Sequence, residues 1–227
     1  MLNRALKALL LSPSIFGVVY VAVTVDPWRP IGPVPLAPGI AGAQTSGAPI
    51  RYRVVAERSE ARYRVREQLA GLNFPSDAVG ATRAIEGSIA FDTEGRVISR
   101  DSRFSVDLRT LRSDEARRDD RVRRNTLEAD RYPTAVFDPT ELRGLPFPLP
   151  QSGTAPFELV GDLTIRNVTR RITWQAMATF NGQEVSVRAR TAFRFAEFGL
   201  VVPRVSIVLS VEDNLRLEAD LLLQRSS

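Results

Sequence analysis

The run Phe157-Glu158-Leu159-Val160-Gly161-Asp162-Leu163-Thr164-Ile165 and the following Ile172-Thr173-Trp174-Gln175-Ala176-Met177-Ala178-Thr179-Phe180 decide how the chain is read. In the first, Phe157, Leu159, Gly161, Leu163 and Ile165 occupy every second position; in the second, Ile172, Trp174, Ala176, Ala178 and Phe180 do so. An extended backbone points successive side chains to opposite faces, so a period of two gives each run one apolar and one wet face. A sheet wet on one side is antiparallel, since parallel sheets are covered on both.

The same period recurs outward from this pair. Ile85, Gly87, Ile89 and Phe91 alternate with polar or small residues, and Phe104, Val106 and Leu108 alternate with Arg103, Ser105, Asp107 and Arg109. Val185, Val187, Ala189, Thr191, Phe193 and Phe195 form another face, followed by Val205, Ile207, Leu209 and Val211 and by Leu215, Leu217, Ala219, Leu221 and Leu223. Thr93-Glu94-Gly95, Asn181-Gly182 and Glu212-Asp213-Asn214 are turn signals between them. Many meandering strands favour closure into a barrel, which leaves no exposed edge. The fold class is therefore all-β: an antiparallel barrel of about eight strands, a size that side chains fill or that holds one ligand. Small inward residues (Gly87, Gly161, Ala176, Ala178, Ala189, Ala219) point to interior space, although they also suit barrel curvature.

Two segments break the pattern. Ser113 to Asp130 is intensely charged and reads as a short helical insertion capped by Ser113, with Val122 and Leu127 pinning it to the barrel. Gly144 to Pro156 is proline-rich and reads as a loop.

The N-terminus is of a different kind. Arg4 and Lys7 precede an uncharged, largely apolar run from Ala8 to Val25. A signal-peptide core has about 7–15 apolar residues and a spanning helix about 20, so residues 1–26 read as a signal peptide or a signal-anchor helix. Trp28 favours a retained anchor in contact with the membrane, while Ala41-Gly42-Ala43 resembles a cleavage triplet placed far beyond the run. In either case the positive-inside rule puts the rest outside the cytoplasmic membrane, in the periplasm or cell envelope. Residues 27–49, with six prolines from Pro27 to Pro49, form a linker. Residues 50–227 form the barrel domain.

Composition removes much chemistry. Across 227 residues there is no cysteine and no histidine. Disulfides, thiolates, the commonest general base and the commonest metal ligand are all missing, and no metal site, cofactor or enzyme activity is expected. The net charge is +5, yet arginine is interleaved with acids, as in Arg117-Arg118-Asp119-Asp120-Arg121, which argues against nucleic acid.

Several blocks resemble one family. Asp107-Leu108-Arg109-Thr110-Leu111, Arg118-Asp119, Asp130 to Phe137 (DRYPTAVF), Gly161 to Arg170 (GDLTIRNVTR) and Phe195 to Leu200 (FAEFGL) are similar, in sequence and in spacing, to the YceI family over roughly residues 51 to 225. The resemblance implies an eight-stranded, lipocalin-like barrel, exported, whose members bind polyisoprenoid or quinone-type lipids inside. Family members often have histidine where this chain has Arg121 and Arg166, which puts any imidazole role there in doubt.

The expected function is a binding protein that sequesters or carries an amphiphilic isoprenoid or quinone-type lipid. Phe91, Phe104, Phe137, Trp174, Phe193 and Phe195 are the candidate interior residues, with a filled core as the competing reading. Arg118, Asp119 and Arg121 are candidates for holding a head group or fixing the charged loop. Arg117, Arg123 and Arg124 share that block, where ion pairing with Asp114, Glu115, Asp119 and Asp120 is the plainer explanation. Asp107 and Asp162 fall opposite the apolar face, with no nucleophile beside them. The alternative is an envelope interaction or stress-related protein with a filled barrel acting through its surface. A homodimer is compatible with either.

Overall fold

The computed structural model describes residues 48–71, 73–203 and 208–226. The apolar helix expected in residues 1–26, and most of the proline-rich linker, lie outside the described residues. Among those described, no helix is long and apolar enough to cross a membrane.

The strand segments are β1 (Ile50–Val54), β2 (Glu60–Leu69), β3 (Ser76–Thr82), β4 (Ile85–Phe91) and β5 (Arg103–Asp107). There follow β6 (Thr134–Arg143), β7 (Ser152–Ile165), β8 (Val168–Asn181), β9 (Glu184–Phe193), β10 (Val208–Val211) and β11 (Leu215–Ser226). All pairings are antiparallel, and most neighbours in sequence are neighbours in the sheet. Three staves are bent and carry two segments each. β1 and β2 both pair with β11, β3 and β4 pair with β2 and β1, and β10 joins β11 beside β2. The eleven segments thus make eight staves, closed where β1 meets β11, Arg51 opposite Ser226. The bend between β1 and β2 stays satisfied: the Val55 N–H donates to the Leu222 carbonyl at 2.8 Å, and buried Ser59 accepts from the Leu222 N–H at 3.0 Å.

The β7–β8 hairpin forms over its full length, from Ser152 opposite Asn181 to Ile165 opposite Val168. β7 therefore begins inside the stretch expected to be loop, and Pro156 is part of a strand. β6 ends at Arg143, opposite Glu158, so residues 152–157 have a ladder on one side only, where a proline is tolerated.

The small inward residues divide into two groups. A Cβ on Gly161 would collide with the Asp138 carbonyl oxygen and stand 2.7 Å from the Phe137 ring; one on Gly87 would stand 2.8 Å from Phe104. These two glycines make room for aromatic rings on the next strand, not for a ligand. Ala176, Ala178, Ala189 and Ala219 do border empty space.

β10 departs from the expected phase. Leu209 is 67% exposed, while Val208 and Val211 border the interior. The register against β2 shifts between Val208 and Ser210, and one extra residue on the bulged strand turns Leu209 outward. The rest of that run, at residues 204–207, lies outside the described residues.

The charged insertion forms the short helix expected of it, with a different cap. α1 (Ala116–Arg121) runs directly into a π-turn (Val122–Thr126). Its N-cap is Glu115, whose carboxylate accepts the Arg117 N–H at 3.0 Å, and not Ser113. Ser113 is instead held by Asp119. Leu127 is buried, and Val122 packs on the core.

Candidate functional site

The barrel encloses a cavity of about 710 Å³. Its deep wall comes from the inward positions of nearly every stave, among them Ile89, Phe137, Phe157, Trp174, Val187 and Leu221. That volume lies within the range of about 300–1,000 Å³ typical of small-molecule sites. The loop between β6 and β7 closes one end with Leu145 and Leu149. α1, in the connection between β5 and β6, lies across the other end.

Five of the six candidate aromatics border this cavity: Phe91, Phe104, Phe137, Trp174 and Phe195. Phe137 and Trp174 meet edge to face, with ring centroids 6.0 Å apart. The Trp174 indole N–H is buried without a hydrogen-bond partner. Phe193 does not border the cavity. It is buried against Phe198, centroid to centroid 4.4 Å, because the 3-10 turn Phe195–Phe198 folds back over the end of β9.

The mouth is polar and built from α1 and the end of β2. β2 presents Tyr63, Val65, Glu67 and Leu69 inward, with Arg62, Arg64 and Arg66 outward in a network that includes Asp77 and Glu218. Glu67 is an inward carboxylate of low exposure. Arg118 donates to it through Nη2 at 2.9 Å and to Asp114 through Nη1 at 2.5 Å. Asp119 faces away from the cavity and is buried, accepting the Ser113 N–H at 2.8 Å and the Ser113 hydroxyl at 2.6 Å. Arg118 thus ties the insertion to the barrel, and Asp119 ties it to itself. Arg121 borders the mouth and makes neither an ion pair nor a side-chain hydrogen bond among the described residues.

Tyr63 and Glu67 were not singled out from the sequence. The signal was present, since Tyr63, Val65 and Glu67 alternate with Arg62, Arg64 and Arg66, but a charged residue in the apolar phase hides the face. Burial pushes the Tyr63 hydroxyl up to about 12, opposed by nearby Arg118, and its oxygen has no hydrogen-bond partner.

Arg166 sits at the β7–β8 turn in a left-handed conformation (φ 56°). It forms an ion pair with Glu128, itself left-handed (φ 49°), and lies 5.6 Å from the Tyr132 ring centre. Its role there is to clasp the segment after the insertion to the barrel. Asp107 and Asp162 are on the outer surface: Asp107 accepts from Arg109 at 2.7 Å, and Asp162 faces Arg171.

A closed eight-stave meander around an apolar, ligand-sized cavity defines a lipocalin-like barrel. The YceI-like domain family model matches residues 52–223, and the chain belongs to that family. Among curated relatives, a UPF0312 protein of Pseudomonas putida strain F1 is 28% identical over 135 residues, 55% of this chain and 64% of the relative. One from P. putida strain W619 is 31% identical over 113 residues, covering 45% and 54%. The match thus spans less than two thirds of these relatives. Among solved structures, a polyisoprenoid-binding domain from Saccharophagus degradans superposes with a TM-score of 0.59 at 12% identity, over 77% of this chain and 98% of that one. Burkholderia cenocepacia BcnA gives 0.55 at 17%, over 74% and 98%. These likenesses establish the fold.

Proposed function

We propose that the barrel binds one amphiphilic lipid of isoprenoid or quinone type, as a carrier or reservoir outside the cytoplasmic membrane, and carries out no reaction. The observation that carries this reading is the cavity of about 710 Å³ walled by aromatic and aliphatic side chains. A polyprenyl tail offers only apolar surface, so affinity would come from burial at about 25 cal/mol per Å². Membership of the YceI-like family and the likeness to a polyisoprenoid-binding domain support the ligand class. The apolar run from Ala8 to Val25 supports export. The cavity favours this reading over the alternative of an envelope interaction protein with a filled barrel acting through its surface.

Native mass spectrometry of the full chain purified from its own cells, with lipid extraction, tests the reading. A prenyl lipid or quinone in stoichiometric amount is expected. Repeated preparations without such a lipid, combined with no change in Trp174 fluorescence when prenyl lipids are added, would overturn it.

A further inference from the structure

The mouth does not treat its charges alike. Arg118 is committed to Glu67 and Asp114. The Glu115 carboxylate caps the helix, Asp119 holds Ser113, and Asp120 pairs with Arg123 at 2.7 Å and Arg124 at 3.9 Å. Every acidic group of the insertion between Ser113 and Arg124 therefore has a partner. Arg117 and Arg121 do not: both border the cavity mouth, both are exposed, and neither guanidinium has an ion pair or hydrogen bond among the described residues. They stand four residues apart on α1, which places them on one face of the helix. On the inward face of β2, close enough to Arg118 to feel its charge, the buried Tyr63 hydroxyl is a further donor without an acceptor. The opposite end of the cavity is lined by Leu142, Leu145 and Leu149, with Tyr52 nearby as a neutral polar side chain and, among the described residues, no cation to match the arginines of the α1 mouth.

We infer that the lipid enters tail first and carries an anionic head group of phosphate-ester type, held at the α1 mouth by Arg117 and Arg121. The inference rests on the barrel being a lipid site and adds the charge and orientation of the ligand. Two guanidinium forks on one face match a group with several anionic oxygens, and each charge-assisted bond at the rim strengthens binding. A neutral head group would leave both forks unused.

The test compares two probes with the same tail, geranylgeranyl monophosphate and geranylgeraniol, on the full chain by tryptophan fluorescence, with Trp28→Phe to isolate Trp174, and by calorimetry. The native chain should prefer the phosphate by at least about tenfold, and in the R117A/R121A variant that preference should collapse towards unity. Inorganic phosphate at matched concentration should leave the prenyl phosphate bound; displacement by it would assign the arginines to free phosphate and overturn the lipid head group. Equal binding of both probes by the native chain, or a preference unchanged in the variant, would overturn the inference while leaving the lipid site intact. Binding of neither probe would overturn the lipid site itself, and the inference with it. Thermal melting of the variant separates loss of fold from loss of preference.

Discussion

Arg118 on α1 reaches Glu67 on the inward face of β2, Nη2 to Oε1 at 2.9 Å, and this ion pair joins the charged insertion to the barrel wall. The two side chains are 21% and 10% exposed, whereas Asp114, the other partner of Arg118, is 84% exposed. The same guanidinium thus makes one sheltered and one solvent-exposed contact, and the sheltered one is its link from the insertion to the barrel wall.

Replacing Arg118 by alanine leaves the Glu67 carboxylate sheltered and without its cation. The loss should be about 2 kcal/mol, seen as a lower urea midpoint at unchanged slope. Asp114→Ala removes only the exposed contact and should cost far less. Equal losses in the two variants would refute the latch.

Tyr63 gives a pH-dependent signature. Its hydroxyl is raised from 10.0 to about 12 by burial, with Arg118 opposing. In the folded chain it keeps its proton above pH 10, where an unfolded tyrosine has lost it. Its contribution is fully present below pH 10 and is lost as pH rises towards 12. Tyr63→Phe should flatten that part of the stability profile. At pH 7 it should be neutral or slightly stabilising, because the hydroxyl it removes has no partner. Denaturant melts of both proteins from pH 7 to 12 provide the check.

Ala189 faces Ala176 across β8 and β9, and both border the cavity. In a filled core, Ala189→Phe would cost about 1–3 kcal/mol through overpacking. In this barrel the ring has room, so the melting temperature should hold while uptake of a prenyl lipid falls sharply. A strongly destabilised variant would speak for a packed interior.

Gly161 behaves in the opposite way. A Cβ there meets the Asp138 carbonyl, a backbone atom that cannot move aside, and the Phe137 ring at 2.7 Å. Gly161→Ala should destabilise the barrel by about 2–3 kcal/mol, measured as a loss of unfolding free energy. An unchanged urea midpoint would show that β6 and β7 can part at no cost.

These two small residues show how far the sequence can be read. Gly161 and Ala189 occupy the same kind of position, small and in the apolar phase, and alternation cannot tell them apart. Only the neighbouring strand shows that one is filled by Phe137 and the other opens on space. Phe193 and Phe195 make the same point. They are in phase two residues apart, but the turn that follows buries the first under Phe198 and leaves the second at the cavity.

The sequence alone determined the wet and apolar faces of β4, β5, β7, β8, β9 and β11, the interruption at the charged insertion and the resemblance to the family, while β1, β2, β3 and β6 were not legible as strands. Each of these follows from local spacing, since side-chain direction along a strand is fixed by the backbone. The tertiary structure decided that the barrel is hollow, that Leu209 turns outward at a bulge, and that Glu67, Arg117 and Arg121 share one mouth. Those facts depend on ring closure, which brings the end of β2 beneath α1, some fifty residues further along the chain (Glu67 to Arg118, |i−j| = 51). A period of two gives a direction for each side chain, and only the closed ring of staves gives the space that the side chain faces.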